Sequence, residues 1–166
     1  MANKYYYLVA SMPYLAFAAA NFPSEEEFLA ECEKWLSLPD MAALAQARMS
    51  GFSMEQAATE LLKAWKEFDT NARAELADAH PLLKAQSKAN ISETAREIYA
   101  KETPLAMERR FERSRWDFLD EKEREYHFDL QWLIIYYLKI KILTRLAGFE
   151  QTKGINAFSK VCEVAL

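Results

Sequence analysis

The sequence predicts an all-α fold: an irregular helical bundle with a long helical hairpin and one fully buried C-terminal helix, all within a single domain over residues 1–166. Three observations carry this prediction. Only 3 Gly and 5 Pro occur in 166 residues, too few for the many turns of an all-β chain. Met54, Ala58, Leu61, Trp65, Phe68 and Ala72 recur in alternating steps of four and three, which places them in one stripe along a helix. The run from Phe128 to Phe149 is apolar on nearly every side, the mark of a helix buried by several neighbours. Hydrophobic residues make up 51% of the chain and charged residues 28%, enough apolar surface for a packed core.

Taken in order, the elements have recognisable boundaries. Tyr5 to Val9 is aromatic and β-branched, and so short that strand and helix both fit. Ser24 and Glu27 have capping-box spacing ahead of Phe28, Leu29, Cys32, Trp35 and Leu36. Pro39 is expected to stop that helix, and Asp40 to cap a short second one ending near Gly51. Ser53 and Gln56 form a second capping-box pair before the striped helix, which is expected to end at Ala79, ahead of Pro81, as one arm of a hairpin. Asn90 or Ser92 can cap a short helix through Ile98 and Tyr99. Thr103 and Pro104 read as cap and first-turn proline of a charged helix, with Met107, Phe111 and Phe118 on one face and Leu105, Trp116 and Leu119 beside it. The apolar helix follows, with Gly148 suited to its end, and a last helix is expected from about Glu150 to Val164.

The totals also exclude functions. A formal net charge of -4 does not suit a general nucleic-acid binder, which needs an excess of cations. Cys32 and Cys162 are expected to be buried reduced thiols of an intracellular protein, and no Cys/His cluster suggests zinc. Lys4 and Pro13 interrupt the apolar start, so a signal peptide fits poorly. Lys139, Lys141 and Arg145 break the one long apolar run, so no membrane span is expected.

Residues able to carry chemistry are sparse. His80 and His127 each stand at a helix boundary, where a cap or surface role outweighs a base or a ligand. No glycine-rich phosphate loop, Glu-x-x-His pair or nucleophile elbow occurs. Glu108 to Glu125 alternates in charge; it reads as a solvated face with internal ion pairs, or as a docking face in which Arg109, Arg113, Trp116 and Asp117 meet a partner. Lys139, Lys141 and Arg145 read as snorkelling side chains, or as a basic side for an acidic partner, with Lys141 and Arg145 together and Lys139 nearly opposite.

Three stretches together resemble a known family: Tyr5-Tyr6-Tyr7-Leu8-Val9-Ala10-Ser11-Met12-Pro13, Arg113-Ser114-Arg115-Trp116-Asp117-Phe118-Leu119-Asp120-Glu121, and Phe128-Asp129-Leu130 continuing through Leu138-Lys139-Ile140-Lys141-Ile142-Leu143-Thr144-Arg145 to Lys153-Gly154. The family comprises uncharacterised bacterial proteins encoded beside V/A-type ATP synthase subunits. It is in turn distantly similar to the central-stalk subunit called C, or d in eukaryotes. The resemblance implies a non-catalytic, cofactor-free helical protein, cytoplasmic and peripheral to the inner membrane. Its partners would be other ATP synthase subunits, the rotor ring and the central shaft, and it would act as a coupling subunit or an assembly factor. Two alternatives stay open: a helical interaction module unconnected to ATPases, and an enzyme with a pocket built from Asp129, Tyr136 and Tyr137.

Overall fold

The computed structural model describes residues 4–47, 57–85 and 91–149. Among them it is all helical: α1 (Tyr6–Ser11), α2 (Glu25–Glu33), α3 (Leu38–Ala45), α4 (Glu60–Lys84), α5 (Glu93–Tyr99), α6 (Pro104–Glu123) and α7 (Leu130–Gly148). The Tyr-rich start is therefore helix, with Leu8 and Val9 turned inward. The expected box before the striped helix, Met54, Cys162 and the expected last helix all lie outside the described residues.

The core is organised around α7. Leu133, Ile134, Ile135, Leu138, Ile140 and Ile142 are all fully buried. A single-faced helix could not bury residues so evenly distributed around its axis, so α7 needs cover on several sides. It receives that cover from α2, α3 and α6. The Asp129 carboxylate starts the helix by accepting from the Trp132 N–H at 2.9 Å.

Helix α6 lies antiparallel to α7, since Arg145 reaches Glu108 while Lys139 reaches Asp120. This pair, joined by residues 124–129, is the longest hairpin among the described residues. The α4 stripe behaves differently from the expected free-standing arm. Leu61, Leu62 and Trp65 enter the main core. The second half of α4 packs on α5 around Ala79, Ile91 and Ala95, and the Tyr99 hydroxyl donates to the Leu76 carbonyl at 2.8 Å.

Local caps follow the sequence closely, and the prolines do not. Ser24 and Glu27 make a reciprocal capping box, and Ser92 and Thr103 cap α5 and α6. Pro39, however, sits at the start of α3 instead of ending α2, which stops at Glu33. The N-cap position of α3 falls to Ser37, whose hydroxyl donates to the Asp40 carboxylate at 2.7 Å. A proline in a first turn forfeits no intrahelical bond. Pro81 lies exposed inside the last turn of α4, near enough to the helix end that few turns beyond it bear the lost hydrogen bond and the crowding of its ring. Two non-glycine residues have left-handed backbones: Ala18 (φ 59°) in the turn after α1 and Phe128 (φ 57°) just before the α7 cap.

Candidate functional site

The charged helix α6 sorts its residues by depth. Glu112 and Arg115 are fully buried, facing α4 and α7. The Arg115 guanidinium donates through Nε to Asp69 Oδ1 at 2.8 Å and also through Nη2. Its Nη1 donates to Glu112 Oε1 at 2.7 Å, and its plane lies 4.4 Å above the Phe111 ring centroid. Asp69 accepts further from Arg73 Nε at 3.0 Å. Glu112 Oε1 is also 3.0 Å from Arg145 Nε, and Arg145 continues to Glu108.

The result is one ladder, Arg73–Asp69–Arg115–Glu112–Arg145–Glu108, with three guanidiniums against three carboxylates. It pins α4, α6 and α7 together. Such a network specifies geometry more than it adds stability, because burying charge is costly even when the charges are paired. Glu112 carries the imprint of that cost. Burial raises its carboxyl above the ordinary range although Arg115 and Arg145 pull the other way, and its Oε2 has no hydrogen-bond partner among the described residues.

The residues proposed from sequence as a partner face do not share one surface. Trp116 is buried, and the Lys139 ammonium lies 5.1 Å from its ring centroid. Lys139 is itself buried, with Asp120 and Glu123 both 2.5 Å from Nζ. Both are held in the seam between α6 and α7. Lys141 and Arg145 also part company. Lys141 pairs with Glu25 of α2 at 2.9 Å, over the Tyr137 ring, whereas Arg145 joins the ladder on α6. They sit only ~40° apart around the helix axis, but α7 runs between α2 and α6 and the long side chains diverge. Arg109, Arg113 and Asp117 remain exposed. Arg113 bridges to Asp117 at 2.9 Å and stacks 5.0 Å from the Phe17 centroid.

The tyrosines of the enzymatic alternative are spread among structural tasks. Tyr136 donates to the Pro13 carbonyl at 2.8 Å, Tyr137 donates to Glu25 at 3.1 Å, and Asp129 caps α7. Among the described residues no group of three or more His, Cys, Asp and Glu is placed to hold a metal ion.

Four exposed apolar side chains and one groove escaped the sequence reading. Tyr7 (75% exposed), Tyr14 (92%), Trp35 (53%) and Leu38 (88%) turn large apolar side chains outward. Near two of them, Asp40 accepts from Lys4 at 2.6 Å, from Ser37, which precedes Leu38, and from Tyr5, two positions before Tyr7. Tyr6 meets Tyr7 edge-on at 5.6 Å. The run of three tyrosines was the available signal, since consecutive helical positions point about 100° apart and cannot all be buried.

The groove, of about 500 Å³, lies between α4, α5 and α6. Phe68, Asn71, Ala72 and Glu75 line it from α4, and Arg110, Ser114, Asp117, Phe118 and Glu121 from α6. Both sets follow helical i, i+3/i+4 and i+7 spacing, so the walls are parallel stripes. The rings of Phe68 and Phe118 stack on its floor with centroids 4.3 Å apart. No family model, no curated protein and no solved structure matches the chain.

Proposed function

We propose that the chain is a non-catalytic subunit or assembly factor of a bacterial V/A-type ATP synthase, similar in role to the central-stalk C/d subunit that couples the rotor ring to the shaft. The observation that carries this reading is where its three resembling stretches lie. They are far apart in sequence but form α1, the middle of α6 and most of α7, and they meet in one unit. The Tyr5 N–H donates to the Phe128 carbonyl at 3.0 Å, Tyr136 holds the Pro13 carbonyl, and Lys139 pairs with Asp120 and lies against the Trp116 ring. A resemblance confined to residues that pack on one another is what a shared architecture leaves behind, and a scatter of chance matches has no reason to do so.

A protein in the path of torque needs helices that do not slide, and an ion ladder across three of them resists sliding. On this reading the chain works in the cytoplasm, held at the inner membrane by its partners. None of the described helices is long and apolar enough to cross a membrane. The test is affinity purification of the full chain from its native cell at low salt. Recovery of rotor-ring or shaft subunits supports the reading, and a clean preparation lacking every ATPase subunit sinks it.

A helical interaction module unconnected to ATPases is the second reading. It is favoured by the position of the groove, one wall of which belongs to α4, outside the resembling stretches.

A further inference from the structure

The groove between α4 and α6 has a charge pattern that its own residues leave incomplete. Arg110, its one cation, is held by Glu97 of α5 through Nε at 2.8 Å and through Nη2. Asp117 is met by Arg113. Glu75 and Glu121 line opposite walls, are exposed, and enter no ion pair among the described residues, although Lys122, next to Glu121 and paired with Glu125, feels its charge. Asp117 and Glu121 also stand one turn apart on α6, an unfavourable like-charge spacing that Arg113 relieves at Asp117 alone. Beneath this acidic rim lies the apolar Phe68–Phe118 stack.

Shape points the same way as charge. From Arg110 to Glu121 the α6 wall runs about 16 Å, three helical turns. Ala72 and Ser114, both small, line the walls and let another backbone approach closely. An acidic rim over an aromatic floor of that length is complementary to a basic amphipathic helix.

We infer that this groove takes a helical segment of a partner protein, with an apolar side chain on the Phe68–Phe118 floor and lysine or arginine against Glu75 and Glu121. The inference rests on the chain being a partner-binding protein and not on which complex it serves.

The test places a photo-crosslinking amino acid at Ala72 in the full chain in its native cell, with the exposed Ala77, which does not line the groove, as control. The Ala72 probe is expected to form an adduct with another protein. The crosslinked peptide should carry lysine or arginine within one turn of an apolar residue. Glu75→Lys with Glu121→Lys should cut the yield roughly tenfold, and the corresponding pair of Gln substitutions by less. Both glutamates are exposed, and unchanged circular dichroism and urea midpoint of the Gln pair would separate lost binding from lost folding. Equal yields from Ala72 and Ala77, an adduct to this same chain or a second copy, an acidic crosslinked peptide, or indifference to the charge changes would each overturn the inference. A basic adduct from a protein that is no ATPase subunit would leave the inference standing and count against the ATPase reading instead.

Discussion

Replacing Arg115 with leucine should be among the most damaging single changes on α6, and the ladder geometry sets the size of the effect. Arg115 is fully buried and supplies three donors, two to Asp69 and one to Glu112. Leucine keeps apolar bulk against Phe111 but leaves both carboxylates in the interior with reduced compensation. Removing one member of a buried pair costs about 3–5 kcal/mol. Asp69 retains Arg73 and Glu112 retains Arg145, so the lower end, about 3 kcal/mol, applies. With a urea slope of about 2 kcal/mol per molar, suited to a chain of this size, the unfolding midpoint falls by about 1.5 M.

Two further measurements separate this cause from mere loss of packing. The triple variant Asp69→Asn, Glu112→Leu, Arg115→Leu removes the stranded charges and should return to within about 1 kcal/mol of the parent. The single variant should also depend on pH. Burial already raises the Glu112 carboxyl above its ordinary value of 4.5, and loss of Arg115 raises it further. A folded-state pKa above the unfolded one means that the folded state binds the extra proton. Stability of Arg115→Leu therefore improves as pH falls toward the ordinary carboxyl value of 4.5. A midpoint shift worth less than about 1 kcal/mol, or a triple variant no better than the single, would refute the account of the ladder.

Asp40 offers the opposite pH sign. Burial pushes its carboxyl up, but hydrogen bonds from Lys4, Tyr5 and Ser37 outweigh this and hold it down to about 2. Its contribution is present above the ordinary value of 3.8 and is lost as pH falls toward about 2. Asp40→Asn should lower the melting temperature at pH 7 and narrow the gap to the parent as pH falls toward about 2. Cys32 is buried and its thiol is pushed up to about 12, mainly by burial. It should resist iodoacetamide at pH 8 in the native protein and react once denaturant unfolds the chain, as read by peptide mass spectrometry. Ala18→Gly should stabilise by about 1 kcal/mol, because glycine relieves the left-handed backbone there, and thermal melting measures the gain.

Features with one local cause were legible from sequence. The caps at Ser24, Ser92 and Thr103 depend only on residues three positions apart, and the evenly apolar α7 could be nothing but central. The prolines misled because the same residue marks either the end of one helix or the first turn of the next. Pro39 does the second, and the deciding factor, how α3 packs on α7, is not written within ten residues of it. Trp116 and Lys139 misled for a related reason. A charge-rich helix shows its total charge in sequence, while the division of that charge between solvent and interior depends on which carboxylates other helices bring. Asp69 lies 46 residues from Arg115, and no spacing rule connects them.

That division bears directly on how a partner can be recognised. Arg115, Lys139, Lys141 and Arg145 each spend their charge on a carboxylate of this chain. Arg115 and Lys139 are buried and so not free to serve an acidic partner, and drawing either out would strand a carboxylate behind it, while the half-buried Lys141 and the exposed Arg145 are already paired with Glu25 and Glu108. Arg113 is committed in the same way to Asp117, although both are exposed. Among the groove's carboxylates Glu75 and Glu121 enter no ion pair among the described residues, and Arg110, whose Nη1 also lacks a hydrogen-bond partner, is already held by Glu97, so attraction across that surface favours a basic segment, the reverse of the acidic partner that a basic side on α7 would have suited. Salt decides between the two pictures. A basic segment held by Glu75 and Glu121 at the exposed rim should dissociate as ionic strength rises past the point where the screening length falls below about 8 Å. The buried ladder should hold through the same range, because pairs withdrawn from solvent are screened far less. Binding that is lost in salt while the urea midpoint stays constant would put the recognition charge on the surface and the structural charge inside.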